Sequence, residues 1–204
     1  MEIGTIIGEI RVELVDPDGD TWTDSDLFGH LTEAQNSVIS LRPSANYTTV
    51  DFTPATQAEQ VSPGLALVDV YNNVGGNPIS KQNKKDMDSL IPGWRSESTA
   101  TEIEHFIYEE ENPKIFWLYP YPSVDTLEVR LAHSLAIESI VSTSQTITLA
   151  DNFLVPIKEY VYWKCYSKQK ETGSQNEAMT HLQNFYMHLG EKFKGEQIFK
   201  AKKK

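Results

Sequence analysis

From Leu27 the apolar positions Leu31, Ala34, Val38 and Leu41 follow at alternating spacings of four and three, which puts them on one face of a period-3.6 helix. The spacing predicts a helix from Thr23 to Leu41 that buries that face and around which the rest of the chain is organised. Thr23 stands where a side-chain oxygen can accept from free first-turn amides, and Asp24 and Asp26 place negative charge at the positive end of the helix dipole. Pro43 disfavours helical geometry at Arg42 and ends the element. Ile3, Ile7, Ile10 and Leu14 repeat the same spacing and predict a helix from Ile3 to Val15. Two more helices are expected late in the chain. Asp151 caps one that runs to Lys170, with Leu154, Ile157, Val161 and Cys165 on one stripe and Pro156 near enough to its start to cost little. Thr172-Gly173-Ser174 breaks it, and Asn176 to Lys194 then buries Met179, Leu182, Phe185, Tyr186, Leu189 and Phe193. This αα-hairpin can complete a four-helix bundle with the two N-terminal helices.

Between the helices the period changes from 3.6 to 2. Tyr47 to Phe52 is β-branched and aromatic, Pro54 and Pro63 bracket a polar stretch expected to be loop, and Leu65 to Tyr71 fits a strand or a helical turn. Asn72 to Pro78 is a loop by its adjacent glycines, Lys81 to Leu90 a short helix closed by Pro92, and Trp94 follows. The clearest hairpin is Ile103 to Tyr119, turning at ENPK. Leu127 to His133 alternates and is expected to extend that hairpin into an antiparallel meander with one buried face, and Ile147 to Leu149 is the last short strand. The fold class is therefore α+β: a helical bundle, made of two N-terminal helices and a C-terminal helix pair, with a large inserted antiparallel β domain. The expected boundaries are 1–43, 44–150, 151–195 and a tail at 196–204.

Composition adds bounds rather than a function. The 204 residues are 39% hydrophobic and 23% charged, long enough for a sizeable core. No apolar run nears the roughly 20 residues of a membrane span, and Met1 to Ile10 lacks a signal-peptide pattern, so synthesis in a cytoplasm is expected. The single cysteine, Cys165, excludes an internal disulfide or a multi-cysteine zinc site and reads as a small core hydrophobe. Residues 1–150 carry 8 basic against 23 acidic side chains and residues 151–204 carry 10 against 6, so the net −11 divides into −15 and +4. An acidic chain argues against neutralising nucleic-acid phosphates and suits a solvated surface or a wall that must not stick to DNA.

Candidate chemistry is sparse. Asp16, Asp18 and Asp20 alternate like calcium ligands, but Gly19 precedes the third acid, Pro17 interrupts, and Leu27 stands where the bidentate Glu belongs; Asx-turns and a capped helix, with Trp22 as core anchor, read better. Glu109, Glu110 and Glu111 could be offered as catalytic carboxylates but read as a solvated hairpin tip. His181 and His188 lack an acidic partner at ligand spacing and read as surface histidines. Neither a nucleophile elbow, a zincin motif nor a dinucleotide fingerprint occurs. No enzyme, cofactor or metal is expected.

The order of these features resembles a known family. A helix, the Asp loop with Trp22, a helix ending Leu41-Arg42-Pro43, then Leu67-Val68-Asp69-Val70, Asn73-Val74-Gly75, the Asp88-Ser89-Leu90-Ile91-Pro92-Gly93-Trp94 turn, the Phe116 to Pro122 hairpin exit and a final helix pair look like the head-to-tail adaptor proteins of short-tailed bacteriophages. The likeness runs to about Gly195, with a Thr- and Asp-rich departure after Pro43. What it implies is a structural virion protein of the neck: a dodecameric ring under the portal protein that extends the DNA channel, encloses DNA without sequence-specific binding, makes no membrane contact, and offers a platform to tail nozzle or tail tube subunits. Ile198 and Phe199, followed by Lys200, Lys202, Lys203 and Lys204, are the expected portal-docking residues. Glu109, Glu110, Glu111, Trp117, Tyr119 and Tyr121 are the expected contacts to tail components or a neighbouring subunit. The alternatives are another neck or tail-completion protein, or a carbohydrate-binding or hydrolytic tail module using Trp117, Tyr119 and Tyr121 as its platform.

Overall fold

The computed structural model describes residues 1–96, 99–124, 126–169 and 172–191. It is α+β, in two compact units: Met1–Arg42 with the chain from Ile137 onward, and Pro43–Ala136.

The helical unit contains α1 (Ile3–Glu13), α2 (Asp24–Leu41), α4 (Leu154–Lys168) and α5 (Thr172–His188), numbered in chain order with α3 in the other unit. Thr23 caps α2 reciprocally with Asp26, as a capping box. Leu27, Leu31, Ala34 and Val38 are buried as their spacing requires, and two polar residues, His30 and Gln35, join them. Gln35 Oε1 accepts from the amides of Thr148 and Leu149 at 3.0 and 3.3 Å, and Thr32 Oγ1 from that of Ile140 at 3.0 Å. Side chains of α2 thus take backbone amides of the returning segment, and Ile147 to Leu149 forms no strand; Thr146 makes only an isolated bridge to Glu2. That segment in turn serves α1, whose first amides, Ile3 and Gly4, donate to Gln145 and Thr143 at 2.8 and 2.9 Å in place of a side-chain cap.

Several helix boundaries differ from expectation. α1 stops at Glu13 rather than Val15, which lies at φ 54. Asp151 does not cap α4: it opens a 3-10 turn, Asp151–Phe153, makes no capping bond, and pairs with the Met1 amino group at 3.7 Å. Finally, α5 begins at Thr172, so Gly173 lies in a first turn, where the penalty of an interior glycine is not incurred. It ends at His188, because Gly190 turns at φ 70 and the Arg42 Nε donates to the Leu189 carbonyl at 3.1 Å, with Glu191 on the same guanidinium at 3.1 Å. Leu41-Arg42-Pro43 therefore ends one helix and caps another. Phe193 lies outside the described residues.

Both α2 and α5 pack along α4. Ile157, Val161 and Cys165 of α4 are fully buried, and Leu182 and Phe185 are buried on α5; each such Ile, Val, Leu or Phe is worth roughly 1.5–3 kcal/mol. Polar pairs ride on the edges: ion pairs of Lys158 with Glu9 and Lys164 with Glu33, and a hydrogen bond between His181 and Glu159, each at 2.8 Å.

The β unit has nine strands among the described residues: β1 (Tyr47–Phe52), β2 (Glu59–Val61), β3 (Leu67–Asn73), β4 (Ser80–Gln82), β5 (Thr99–Ala100), β6 (His105–Tyr108), β7 (Ile115–Tyr119), β8 (Tyr121–Pro122) and β9 (Val129–Ser134), with α3 (Lys84–Leu90) after β4. One sheet is β1-β9-β3, a second β2-β7-β6-β4 with β4 parallel to β6, and β5 pairs parallel with β8. The expected meander is not formed: β9 lies between β1 and β3, not beside the hairpin. Its run Leu131 to Ser134 is buried throughout, the mark of a central strand. The polar stretch after Pro54 also contains a strand, β2, and buried Gln60 closes the loop by accepting from the Ala55 amide at 2.8 Å and donating to its carbonyl at 2.9 Å.

The hairpin β6–β7 is buried on both faces. Phe106, Phe116 and Leu118 share one core with Leu67, Val70, Val129 and Leu131 of the first sheet, while Ile107 packs with Met87 of α3 and Trp94, and Trp117 and Tyr119 lie against that second cluster. The Asp88 to Trp94 turn is pinned from inside. Trp94 Nε1 donates to Asp88 Oδ1 at 2.9 Å, Arg95 pairs with the same oxygen at 2.9 Å and stacks 4.3 Å from the indole centroid, and Gly93 turns at φ 88.

Candidate functional site

The six expected hairpin residues divide between packing and surface. Glu109, Glu110 and Glu111 line an open cleft of about 540 Å³ together with Lys81, Lys84, Lys85 and Tyr108. Lys84 pairs with Glu109 and lies 5.0 Å over the Trp117 ring, and Lys81 lies 5.3 Å over Tyr108. Glu109 is thus engaged by a lysine, and the tip is less free than its sequence suggests. Trp117 and Tyr119 are half-buried against Met87 and Trp94, and Tyr119 stacks on His105 at 6.4 Å. Tyr121 sits on β8, its hydroxyl reaching the Ser96 carbonyl at 3.5 Å. Two aromatics that pack on a core make a poor sugar platform. The expected docking residues Ile198, Phe199, Lys200, Lys202, Lys203 and Lys204 lie outside the described residues.

The acidic loop is built as a turn. Asp16 is buried; burial alone would raise its carboxyl, but the Thr21 and Trp22 amides, donating at 3.1 and 3.0 Å, and Arg11 at 3.3 Å hold it below the usual range. Trp22 is buried as expected. Among the described residues, no three His, Cys, Asp or Glu side chains gather so as to hold a metal ion. His181 does find an acidic partner, Glu159, contributed by the facing helix rather than by its own spacing, and stacks on Tyr166 at 5.3 Å. Cys165 is fully buried, and burial pushes its thiol up to about 12. No described helix is long and apolar enough to cross a membrane.

Two features escaped the sequence. One is a polar cluster where α2 meets the end of α4: Lys168 Nζ lies 3.2 Å from His30 Nε2 and 5.4 Å over Trp22, while the buried His30 Nδ1 has no partner. Burial, then the Lys168 and Lys164 charges, lower the His30 pKa from 6.5, against the opposing pull of Glu33 and Asp26. Folded protein therefore binds fewer protons here than unfolded protein between its depressed value and 6.5, and the stability is present above 6.5 and lost as pH falls through the folded value. Urea unfolding followed from neutral pH to about pH 5 should show a decline that His30→Gln flattens; parallel profiles would discount His30. The carboxylates lowered by partners, such as Asp26 and Glu33, contribute only at more acid pH.

The other is a groove of roughly 330 Å³ between α2, α4 and α5, lined by Leu41, Tyr160, Trp163, Leu182, Phe185 and Tyr186. Its signal was the run Tyr160-Val161-Tyr162-Trp163, in which only the second and third residues are buried.

The described residues form a helical unit with an inserted β unit, and they present a charged cleft and an aromatic groove. The chain belongs to the SU10 adaptor protein family, whose model matches residues 1–198. It is a phage adaptor protein. No curated protein matches the chain.

Proposed function

We propose that this adaptor forms a dodecameric ring in the virion neck that binds the portal, extends the DNA channel and carries the tail nozzle or tail tube. The observation behind this is the family match, which spans both units rather than one module. Charge supports it. Pro43–Ala136 carries 6 basic against 13 acidic side chains and the rest of the chain 12 against 16, so both units are net acidic and a channel lined by either repels DNA. The same repulsion keeps free subunits apart until the portal supplies a template.

Ile198 and Phe199 enter an apolar groove on the portal while Lys200, Lys202, Lys203 and Lys204 speed encounter with its acidic rim. Repetition around the ring makes weak arms sum to tight attachment. Light scattering of the purified protein should give one subunit mass, rising to a ring only with portal present. A chain truncated after Lys194, or carrying Ile198→Ala and Phe199→Ala, should fold normally yet fail to co-sediment with portal-bearing heads. Unchanged co-sedimentation rules out the arm; binding to tail parts but not to portal would place the protein elsewhere in the neck.

A further inference from the structure

Strand β1 ends the first sheet, with β9 on one side of it and no strand on the other. The Leu135 amide donates to the Asn46 carbonyl at 2.9 Å, and the register continues with Thr48 opposite His133, Val50 opposite Leu131 and Phe52 opposite Val129, so the even-numbered residues are those hydrogen-bonded to β9. The amides and carbonyls of Tyr47, Thr49 and Asp51 therefore point out of the sheet, and none has a hydrogen-bond partner among the described residues. Exposed edges are ordinarily blunted by a lysine, a proline, a bulge or shortness. β1 has none of these: it is six residues long, pairs with β9 without a register shift, and contains no Lys, Arg or Pro. Its one charge, Asp51, is bound by Arg130 at 2.7 and 2.9 Å. The other edges are different. β3 shifts register twice and gives its Tyr71 carbonyl to the Ile79 amide, while β2 and β4 are three residues long.

We propose, resting on the neck-ring reading above, that β1 is the edge to which a tail subunit adds an extended segment of its own as a further strand. Only an extended backbone matches a row in which an outward amide and carbonyl recur at every second residue. The two faces of β1 specify the rest of the segment. Val50 and Phe52 are partly buried against the core that both sheets share, so the added strand carries apolar side chains at alternate positions on that side. Its other positions are basic. In the β unit Glu59, Asp86, Glu104, Glu110, Glu111 and Glu128 are exposed and make no ion pair, whereas of its cations only Lys81, Lys85 and Lys114 make none among the described residues. That negative excess draws a basic segment and opposes a second copy of the same unit at this edge.

Two substitutions in the full chain separate main chain from side chain. Thr49→Pro removes an amide that faces outward and costs the sheet no ladder bond, so circular dichroism and ring assembly on the portal should be unchanged. Attachment of tail subunits to those rings should fall about tenfold or more, whereas Thr49→Ala should attach them as the unaltered chain does. Hydrogen exchange on the unaltered protein reads the edge without any variant. With the peptide Lys-Val-Lys-Val-Lys-Val-Lys added, the amides of Tyr47, Thr49 and Asp51 should gain protection, those of Thr48, Val50 and Phe52 should be slow throughout, and the same peptide with Glu for Lys should protect none. Full tail attachment by a folded Thr49→Pro chain, an equal loss with Thr49→Ala, or no protection by the lysine peptide each overturns the proposal. Protection already present in the free protein overturns it too: if truncation after Lys194 abolishes it, the edge belongs to the C-terminal segment, and if it grows with protein concentration, to a second copy. Portal-bearing heads that take up no ring from the unaltered protein overturn the ring and the tail assignment with it, and the exchange measurement, which needs no ring, tells that failure from a failure of the edge.

Discussion

Gly64→Ala should lower the stability of the protein by about 3 kcal/mol, near the top of the range for overpacking. A Cβ built on Gly64 falls 2.2 Å from both the Ser134 carbonyl oxygen and His133 Nδ1. The His133 ring has little room to move, being buried in β9. The Ser134 carbonyl is worse placed to yield, since it accepts from Leu65 at 3.1 Å while its residue pairs with Tyr47 across the ladder. Relief therefore requires a shift in the central strand of the first sheet or in the Ser62 to Leu65 turn. Chemical denaturation should report the loss at unchanged m-value, and the thermal midpoint should fall by about 6–12 °C. A change under about 0.5 kcal/mol would mean that the turn slides aside without cost.

That position also shows where sequence reading stopped. Pro63-Gly64 announces a turn, but not that β9 runs beneath it, because a strand partner distant in sequence leaves no mark on local period. The helices were legible for the opposite reason: Leu27, Leu31, Ala34 and Val38 encode their burial within one element, and all four are buried. At the end of α5 the difference comes from a tertiary partner, Arg42 on the Leu189 carbonyl, while α4 starts late because Asp151 to Phe153 form a 3-10 turn ahead of it. The hairpin was found by its alternation, yet its second buried face was hidden, because Trp117 and Tyr119 read equally well as exposed aromatics or as packing for Met87 and Trp94. The aromatic groove needed three helices to exist at all, and the one local trace of it, the Tyr160 to Trp163 run of α4, does not say which helices close it.

Of all buried polar side chains in the β unit, Asn73 should be the least replaceable. It is 3% exposed, and its amide behaves as an extra peptide group: Oδ1 accepts from the Ile103 N–H at 2.9 Å, while Nδ2 donates to the Ile103 carbonyl at 2.8 Å and to that of Asn77 at 3.1 Å. This joins the end of β3 to the chain entering β6, where no strand ladder runs, so Ile103 has its main-chain needs met by a side chain. Asn73→Ala strands both Ile103 groups in a core that also holds the fully buried Ile103 side chain, and should cost roughly 2–4 kcal/mol. Asn73→Asp is the sharper probe. A carboxylate can still accept from Ile103, but it turns lone pairs toward two carbonyls that need a donor, with Glu102 already bonded to Asn77 nearby. The folded state would hold that carboxyl protonated, raising its pKa above the unfolded value, so stability is present at low pH and lost as pH rises through the folded pKa. Near neutral pH the Asp variant should be at least as unstable as the Ala variant, and by about pH 5 it should regain ground on it in parallel urea titrations. Equal stability of the two at both pH values would mean that the carboxylate is not repelled by the Ile103 and Asn77 carbonyls, and stability of either equal to that of the Asn73 protein would mean that the bonds to Ile103 and Asn77 contribute nothing.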